Sequence, residues 1–148
     1  MRVDNRPSIL HPGGFFGSAL GASTAGYDEF LRLTDPELVC LELDCGWMVV
    51  AGQDPVAYLT KFPNRYRLLH VKDFEKGFAQ TTTLMMDAPG GPVPTELGRG
   101  GIDYTKILAA ARKGKVTNIF VEQEPPFNEM PALEAIKVDY DYLNPLVA

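Results

Sequence analysis

The stretch Val39-Cys40-Leu41-Glu42-Leu43-Asp44 decides the predicted fold, because it is a run of strand-forming residues that ends on a carboxylate. Two later stretches repeat this pattern. Tyr66-Arg67-Leu68-Leu69-His70-Val71 carries an imidazole near its end, and Ile119-Phe120-Val121-Glu122 ends on a second carboxylate. A carboxylate, an imidazole and a carboxylate at the ends of parallel strands are a typical ligand set of a divalent metal. The sequence therefore predicts a metal site where three strands end.

The candidate metal ligands are Asp44, His70 and Glu122, each on the polar face of its predicted strand. Side chains alternate along a strand, so the leucines and valines of these runs face the other way. Charged side chains inside a β/α protein are costly unless a metal or a partner compensates them. Structural alternatives stay open: Asp44 as a turn or helix-cap residue, His70 as a satisfied core histidine, and Glu122 as a carboxylate paired within the protein.

Helical patterns separate the predicted strands, which cover residues 38–45, 65–72 and 117–123. The alternation of strands and helices indicates parallel strands joined by right-handed crossovers. We therefore predict an α/β protein, in which three such units form either a small open sheet or a piece of a (β/α) barrel. The predicted helices are residues 27–33, a helix that starts at Pro55 with Asp54 as N-cap, a helix from residues 102–104 to Lys113-Gly114, and residues 131–143 with Leu133, Ile136 and Tyr140 on its apolar face.

Two regions lack a predicted helix or strand. Residues 1–26 are rich in glycine and proline and are predicted to be irregular, whereas residues 27–148 carry the βα units. Residues 73–101 are predicted to form one long connection. A connection of this length inside a compact domain usually serves function, for example as a lid over a site.

Composition limits the function classes. The chain has 148 residues, a formal net charge of −5 and scattered basic residues, which argues against nucleic-acid or anionic-membrane partners. No apolar run reaches the roughly 20 residues of a membrane helix, and residues 1–10 have no apolar signal core. Cys40 and Cys45 are predicted to face opposite sides of one strand, which disfavours a disulfide. Free buried thiols fit a reducing cytoplasm, the expected location.

Five segments form a specific set when their order and spacing are taken together. They are Leu41-Glu42-Leu43-Asp44-Cys45-Gly46-Trp47, Ala51-Gly52-Gln53-Asp54-Pro55, Arg67-Leu68-Leu69-His70-Val71-Lys72-Asp73, Glu96-Leu97-Gly98-Arg99-Gly100-Gly101-Ile102-Asp103 and Phe120-Val121-Glu122-Gln123-Glu124. On this set the chain resembles the sugar phosphate isomerase/epimerase family, which has the xylose isomerase-like TIM barrel. The resemblance covers about residues 27–146 and corresponds to the C-terminal half of the family's barrel. It implies a partial (β/α) TIM-type barrel of about three to four parallel βα units.

The resemblance implies one divalent metal ion, bound by glutamate, aspartate, histidine and glutamate on four successive late strands. Asp44, His70 and Glu122 match the second, third and fourth of these ligands. The first ligand is absent, since residues 8–16 read Ser-Ile-Leu-His-Pro-Gly-Gly-Phe-Phe and no glutamate precedes Glu29. The expected cofactor is therefore Mn, Mg, Co or Zn as a divalent ion, with one ligand of the family's set missing.

The resemblance also implies a reaction, that of a metal-dependent sugar (phosphate) isomerase/epimerase. Such an enzyme transfers a proton next to a sugar carbonyl through an enediolate. Glu122 is expected to act as the base, with Lys72 as a second catalytic residue. Trp47, Lys72 and Glu124 are expected to contact the substrate, a small sugar or keto-sugar.

Because one of the family's two acid/base glutamates is absent, other functions stay open. One alternative is a non-catalytic fragment that binds metal or sugar. Another is a keto-sugar or keto-inositol dehydratase, or an enzyme that processes 3-keto-glycosides, on the same scaffold. The structural alternatives are that Trp47 only packs at the rim of the barrel and that Glu124 only faces solvent at a strand end.

The predicted strands are too few for a closed eight-stranded barrel, which takes roughly 200 residues or more. We therefore expect the chain to be a fragment, a remnant or one half of a two-chain barrel. An incomplete barrel presents unpaired strand edges, and such edges favour association. We expect the isolated chain to self-associate through these open edges.

Overall fold

The computed structural model describes residues 8–10, 25–80, 91–125 and 130–147 of the chain. Within these ranges the strands are β1 (Ser8–Leu10), β2 (Val39–Asp44), β3 (Tyr66–Val71), β4 (Asp73–Phe74), β5 (Pro94–Thr95) and β6 (Asn118–Val121). The helices are α1 (Ala25–Leu33), α2 (Cys45–Val50), α3 (Pro55–Lys61), α4 (Tyr104–Ala111) and α5 (Ala132–Val147).

Four strands form one parallel sheet in the order β1-β2-β3-β6. Along the chain, α1 lies between β1 and β2, α2 and α3 between β2 and β3, and α4 between β3 and β6. Parallel neighbours need a crossover of this kind, because a tight turn cannot return the chain to the same end of the sheet. The predicted α/β fold, a partial TIM-type barrel of about three to four parallel βα units, is confirmed.

One face of the sheet belongs to the hydrophobic core. Leu41, Leu43, Leu69 and Val71 are fully buried there, as the period-two alternation predicts. The same hydrophobic cluster contains Met48, Leu59, Ile107 and Leu108 from the helices. Because these strand positions are fixed against helices, the intervening positions Glu42, Asp44 and His70 are directed to the opposite face.

Helix α3 begins as the sequence predicts. The carboxylate of Asp54 accepts a hydrogen bond from the backbone N–H of Val56, and Pro55 takes the first helical position. Asp103 caps α4 in the same way by accepting from the backbone N–H of Lys106. In both places a short acidic side chain satisfies an N–H that has no partner inside the helix.

The strand predicted over residues 38–45 is shorter in the structure, because the chain turns into α2 at Cys45. Helix α2 is absent from the sequence predictions, since its six residues are too few for a recognisable apolar period. Cys40 lies on β2 and Cys45 on α2, and both are buried free thiols. The prediction of free thiols is therefore confirmed, although the two residues do not share one strand.

Part of the segment predicted to be irregular is a strand. Ser8, Ile9 and Leu10 pair in parallel with Val39, Cys40 and Leu41 as the edge strand β1. A run of three residues carries no periodicity of its own, so pairing with β2 determines its conformation. Helix α1 also begins inside this segment, at Ala25. The remainder of the predicted irregular segment lies outside the described residues.

The prediction of which face of the last helix is buried is wrong. Leu133, Ile136 and Tyr140 are 82%, 51% and 62% exposed. The positions that α5 buries are instead Ala135, Asp139 and Leu143.

A polar contact explains the orientation of α5. The Oδ1 atom of Asp139 accepts a hydrogen bond of 2.7 Å from the backbone N–H of Leu97. On the same side of the helix, the ring of Tyr142 lies against Gly98, where a Cβ atom would overlap it. Burial raises the pKa of Asp139, against the effect of the Leu97 hydrogen bond. The contacts of α5 with Leu97 and Gly98 therefore decide which face of this helix is buried.

The long connection predicted at residues 73–101 contains a two-stranded antiparallel ladder, β4 with β5, which the sequence does not predict. Residues 81–90 lie outside the described residues. Asp73 organises the end of this connection, because its buried carboxylate accepts hydrogen bonds from four backbone N–H groups. The donors are Phe74, Gly98, Gly100 and Ile102, at 2.9 to 3.2 Å.

A substitution at Gly100 tests how closely this connection packs on Asp73. A Cβ atom at Gly100 would overlap Oδ1 of Asp73 and the carbonyl oxygen of Phe74, whereas a Cβ at Gly101 meets nothing closer than 3.8 Å. We expect Gly100→Ala to lower the free energy of unfolding by about 2 kcal/mol, because backbone must move. Urea denaturation measures this change. The matched variant Gly101→Ala should stay within about 0.5 kcal/mol, and equal effects of the two variants would contradict the packing described.

Candidate metal centre

The sheet brings the three predicted ligands together. Asp44 ends β2, His70 lies opposite it on β3, and Glu122 follows β6 directly. One ligand atom from each lies within 4.8 Å of the others. The Nδ1 atom of His70 is 3.5 Å from Oε2 of Glu122 and 3.9 Å from Oδ2 of Asp44. This convergence follows from topology, since parallel strands end at one edge of the sheet.

Asp44 uses its two carboxylate oxygens differently. Oδ1 accepts a 2.8 Å hydrogen bond from the backbone N–H of Trp47 and so caps α2. Oδ2 faces the cluster, 3.6 Å from Nζ of Lys72. The side chain is 2% exposed. The helix-cap reading and the ligand position of Asp44 are therefore compatible, because each occupies one oxygen.

His70 has carboxylates near both of its ring nitrogens. Its Nδ1 atom faces Asp44 and Glu122, and its Nε2 atom is 3.0 Å from Oε1 of Glu42. The sequence analysis does not select Glu42 as a site residue. The available signal is its position two residues before Asp44, which places both side chains on one strand face.

The ammonium group of Lys72 joins the carboxylates of the site. Its Nζ atom forms an ion pair with Glu122 and lies 3.3 Å from Oε2 of Glu124 and 3.6 Å from Oδ2 of Asp44. The side chain is 4% exposed. Burial opposes its charge, but the nearby carboxylates outweigh this effect and hold the pKa of Lys72 above its ordinary value. The side chain of Lys72 is therefore both buried and positively charged.

The backbone of Lys72 is fixed by a buried tyrosine. The Tyr104 hydroxyl donates a 2.6 Å hydrogen bond to the carbonyl oxygen of Lys72 and accepts one of 3.0 Å from its N–H. Burial raises the pKa of Tyr104 well above its ordinary value, so the hydroxyl keeps its proton. A Cβ atom at Gly46 would overlap Cγ of Lys72, so the stem of the lysine is closely packed as well.

Trp47 forms one wall of the cluster. Its ring lies 5.4 Å from Nζ of Lys72, in a cation–π arrangement, and 5.3 Å from the ring of Phe74. The ring is only partly buried. Trp47 thus packs against the site, and part of its side chain stays exposed.

The donor chemistry of this cluster fits a divalent cation. Carboxylate oxygens and an imidazole nitrogen are ligands for Mn, Co, Zn or Mg. Four carboxylates approach one lysine and one histidine here, so negative charge is in excess around a mostly buried position. They are Glu42, Asp44, Glu122 and Glu124. Such an excess is costly unless a cation compensates it.

The structure brings all the sequence-predicted site residues into one cluster. Glu42 and Tyr104 complete it, and the sequence analysis does not select either. Glu42 has a period-two relation to Asp44, which offers a signal. Tyr104 offers none, since it reaches Lys72 from the first turn of α4, across a separation of 32 residues.

No family model matches the chain. Among curated proteins, an inosose dehydratase from Clostridium tetani is 39% identical over 90 residues, which are 58% of this chain and 30% of that protein. Inosose dehydratase 2 of Bacillus cereus is 37% identical over 110 residues, which are 70% of this chain and 37% of that protein. The chain thus spans about a third of the length of these relatives.

Solved structures give a matching result. A sugar phosphate isomerase/epimerase from Parabacteroides distasonis aligns with a TM-score of 0.64 at 28% identity, over 82% of this chain and 37% of that one. The IolI protein, solved with a zinc atom, aligns with a TM-score of 0.61 at 20% identity, over 84% of this chain and 43% of that one. The second likeness concerns the fold alone.

Fold and similarities together define the class, an α/β protein with a partial TIM-type barrel that is similar to sugar-processing enzymes. The resemblance to the sugar phosphate isomerase/epimerase family is confirmed, and the partial coverage fits the C-terminal half of that barrel. In the part of the chain that the structure describes, no helix is both long and apolar enough to cross a membrane.

Tyr104 offers a test of how the lysine is held. We expect Tyr104→Phe to lower the free energy of unfolding by about 1–3 kcal/mol, because it leaves the buried N–H and carbonyl of Lys72 without their shared partner. Chemical denaturation gives the value. Tyr140→Phe is the matched control, since Tyr140 is 62% exposed. A loss in Tyr104→Phe no larger than that in Tyr140→Phe would contradict this role.

Proposed function

We propose that the chain carries the metal-binding and proton-transfer residues of a sugar isomerase/epimerase, which acts at a carbon next to the carbonyl of a sugar or keto-sugar. The observation that carries this proposal is the convergence of Asp44, His70 and Glu122 with a charged, buried Lys72 at one edge of the sheet. The similarity to a sugar phosphate isomerase/epimerase and to inosose dehydratases supports it.

Asp44, His70 and Glu122 would hold a divalent ion, which supplies Lewis acidity to the substrate oxygens when bound. Glu122 is the proposed base. It is the most exposed of the three, with 35% of its side chain accessible, and it follows the last strand, where a substrate can approach. A base must reach the proton that it removes, and Asp44, at 2% exposure and with one oxygen committed to α2, cannot do so.

Lys72 and Glu124 have complementary proposed roles. The ammonium of Lys72 can donate hydrogen bonds to an oxygen that gains negative charge, and its contact with Glu122 places it beside the base. Glu124, 3.3 Å from the same ammonium, can accept a hydrogen bond from a substrate hydroxyl. The exposed face of Trp47 offers an apolar wall for the carbon skeleton of a sugar.

A dehydratase is the second candidate, because the curated relatives are named inosose dehydratases. Elimination of water starts with the same step, the removal of a proton next to a carbonyl. It then differs in that a hydroxyl group leaves from the neighbouring carbon and takes up a proton. Both candidates therefore need Glu122 and Lys72, and they are distinguished by the product.

Metal affinity is the first test of this proposal. We expect the purified chain to bind Mn²⁺ in calorimetry, and His70→Ala and Glu122→Gln to weaken binding by about 100-fold or more. Loss of groups that only support a metal ligand costs about 10–100-fold, so loss of a direct ligand should cost at least as much. Glu134→Gln, an exposed carboxylate on α5, should leave the affinity unchanged. Absence of Mn²⁺ binding by the unaltered chain would overturn the proposed metal site.

Proton transfer is tested separately from the overall reaction. The chain is incubated in deuterium oxide with Mn²⁺ and a keto-inositol or a ketose. We expect the hydrogen on the carbon next to the carbonyl to exchange for deuterium, and NMR measures the rate of this exchange. Glu122→Gln should slow this exchange by about 10²–10⁴-fold, the usual contribution of a general base. Lys72→Ala and Glu124→Gln test the assisting roles, and unchanged rates would remove both residues.

The exchange experiment needs its own control and a product analysis. Asp141→Asn, an exposed change on α5, should exchange at the unaltered rate. A new sugar isomer or epimer identifies the leading function, and an unsaturated product that has lost water identifies the dehydratase. Metal binding without exchange of any substrate proton would favour the non-catalytic alternative.

A further inference from the structure

Glu42 lies behind the imidazole ring of the candidate metal ligand. It is on β2, two residues before Asp44 on the same strand face, and His70 lies opposite Asp44 on β3. Its side chain is 13% exposed, and its Oε1 atom is 3.0 Å from Nε2 of His70. This oxygen is fully buried, and among the described residues no donor meets it at full hydrogen-bond angles. His70 is therefore its closest recorded partner, through Nε2.

The hydrogen-bond needs of this pair determine the imidazole tautomer. A buried carboxylate oxygen without a donor costs about 1–3 kcal/mol or more, so a ring orientation that aligns Nε2–H with Glu42 is favourable. A carboxylate only accepts hydrogen bonds, which requires the hydrogen on Nε2. In a neutral imidazole the other nitrogen, Nδ1, then carries the lone pair. Nδ1 is the atom that faces Asp44 and Glu122.

We propose that Glu42 is a positioning residue that holds Nε2–H of His70 and thereby presents the Nδ1 lone pair to a metal. The inference rests on the proposed metal centre, which it deepens. Glu42 acts through the ring, since its carboxylate is on the side of the imidazole away from the other ligands. Metal-bound histidines generally donate their second N–H to a carboxylate or carbonyl, which fixes the ring and strengthens the ligand.

The first experiment reads the tautomer without metal. The chain has two histidines, so a His11→Asn background isolates the signals of His70 in ¹⁵N-labelled protein. Spectra are recorded at a pH high enough that the ring ¹⁵N chemical shifts no longer change with pH, because the tautomer is defined for the neutral imidazole. We expect hydrogen on Nε2 alone, with a proton signal protected from exchange. Hydrogen on Nδ1, or an Nε2 proton as well protected in Glu42→Leu as in the background protein, would overturn the inference.

Two substitutions separate orientation from folding. Glu42→Gln keeps an oxygen that accepts from Nε2–H but adds an N–H₂ group that can donate to a bare Nε2, so both tautomers become possible and Mn²⁺ affinity should fall by less than tenfold. Glu42→Leu removes the acceptor, and affinity should fall by about 10–100-fold. Glu37→Gln, an exposed change, should match the parent chain. If Glu42→Leu does not fold, Glu42→Ala decides instead: an Nε2 proton as well protected there as in the background protein overturns the inference.

The second experiment identifies the coordinating nitrogen. In ¹¹³Cd-loaded protein, scalar coupling to ¹⁵N should appear at Nδ1 of His70. Coupling at Nε2 would overturn the role of Glu42 while leaving the metal centre of the proposed function intact. If neither Cd²⁺ nor Mn²⁺ binds, the metal centre fails, and the role of Glu42 toward a metal falls with it. The metal-free spectra then show whether Glu42 holds the ring, which distinguishes the two failures.

Discussion

The site depends on the ion pairs between the buried ammonium of Lys72 and the surrounding carboxylates. The ammonium meets carboxylates from β2 and from the segment after β6, and these groups would repel one another without it. A buried charge is tolerated only when partners and hydrogen bonds replace its water, and Lys72 has both. Tyr104 fixes its backbone, Gly46 gives space to its stem and Trp47 covers its head. The residue is therefore held from several elements of the fold, which links the geometry of the site to the packing of the whole sheet edge.

Asp44 shows why a structural and a functional reading of one residue need not exclude each other. Its Oδ1 starts α2, and its Oδ2 is left to face the cluster. The cap holds the carboxylate in one orientation, so less conformational entropy remains to be lost when a ligand is bound. The sequence offers cap and ligand as alternatives because a one-dimensional pattern assigns one role to a side chain. A carboxylate has two oxygens, and only the structure shows that they are used separately.

The predictable parts of the fold are those with a period in the sequence. β2, β3 and the capped helix α3 follow from alternation and from the Asp54-Pro55 pair, and their polar faces give Asp44 and His70. Elements without a period, such as β1 and the β4–β5 ladder, are determined by pairing partners distant in the chain. The orientation of α5 escapes prediction for another reason. Its apolar stripe is real in the sequence, but the hydrogen bond from Leu97 to Asp139 and the contact of Tyr142 with Gly98 bury a different face.

The charge balance of the site bears on the glutamate that the family resemblance implies and the sequence lacks. β1 is the neighbour of β2 in the sheet and runs parallel to it. Residues 11–24, which follow β1 in the chain, contain no acidic side chain. Four carboxylates nevertheless approach His70 and Lys72, because Glu42 and Glu124 add to Asp44 and Glu122. Negative charge enough for a divalent cation therefore comes from β2 and the end of β6 alone. By the family resemblance, the missing glutamate is one of two acid/base residues, so what its absence removes is a proton-transfer group and not charge for the cation. A reaction at this site would therefore pass its proton through Glu122, with Lys72 and Glu124 as the candidate assisting groups.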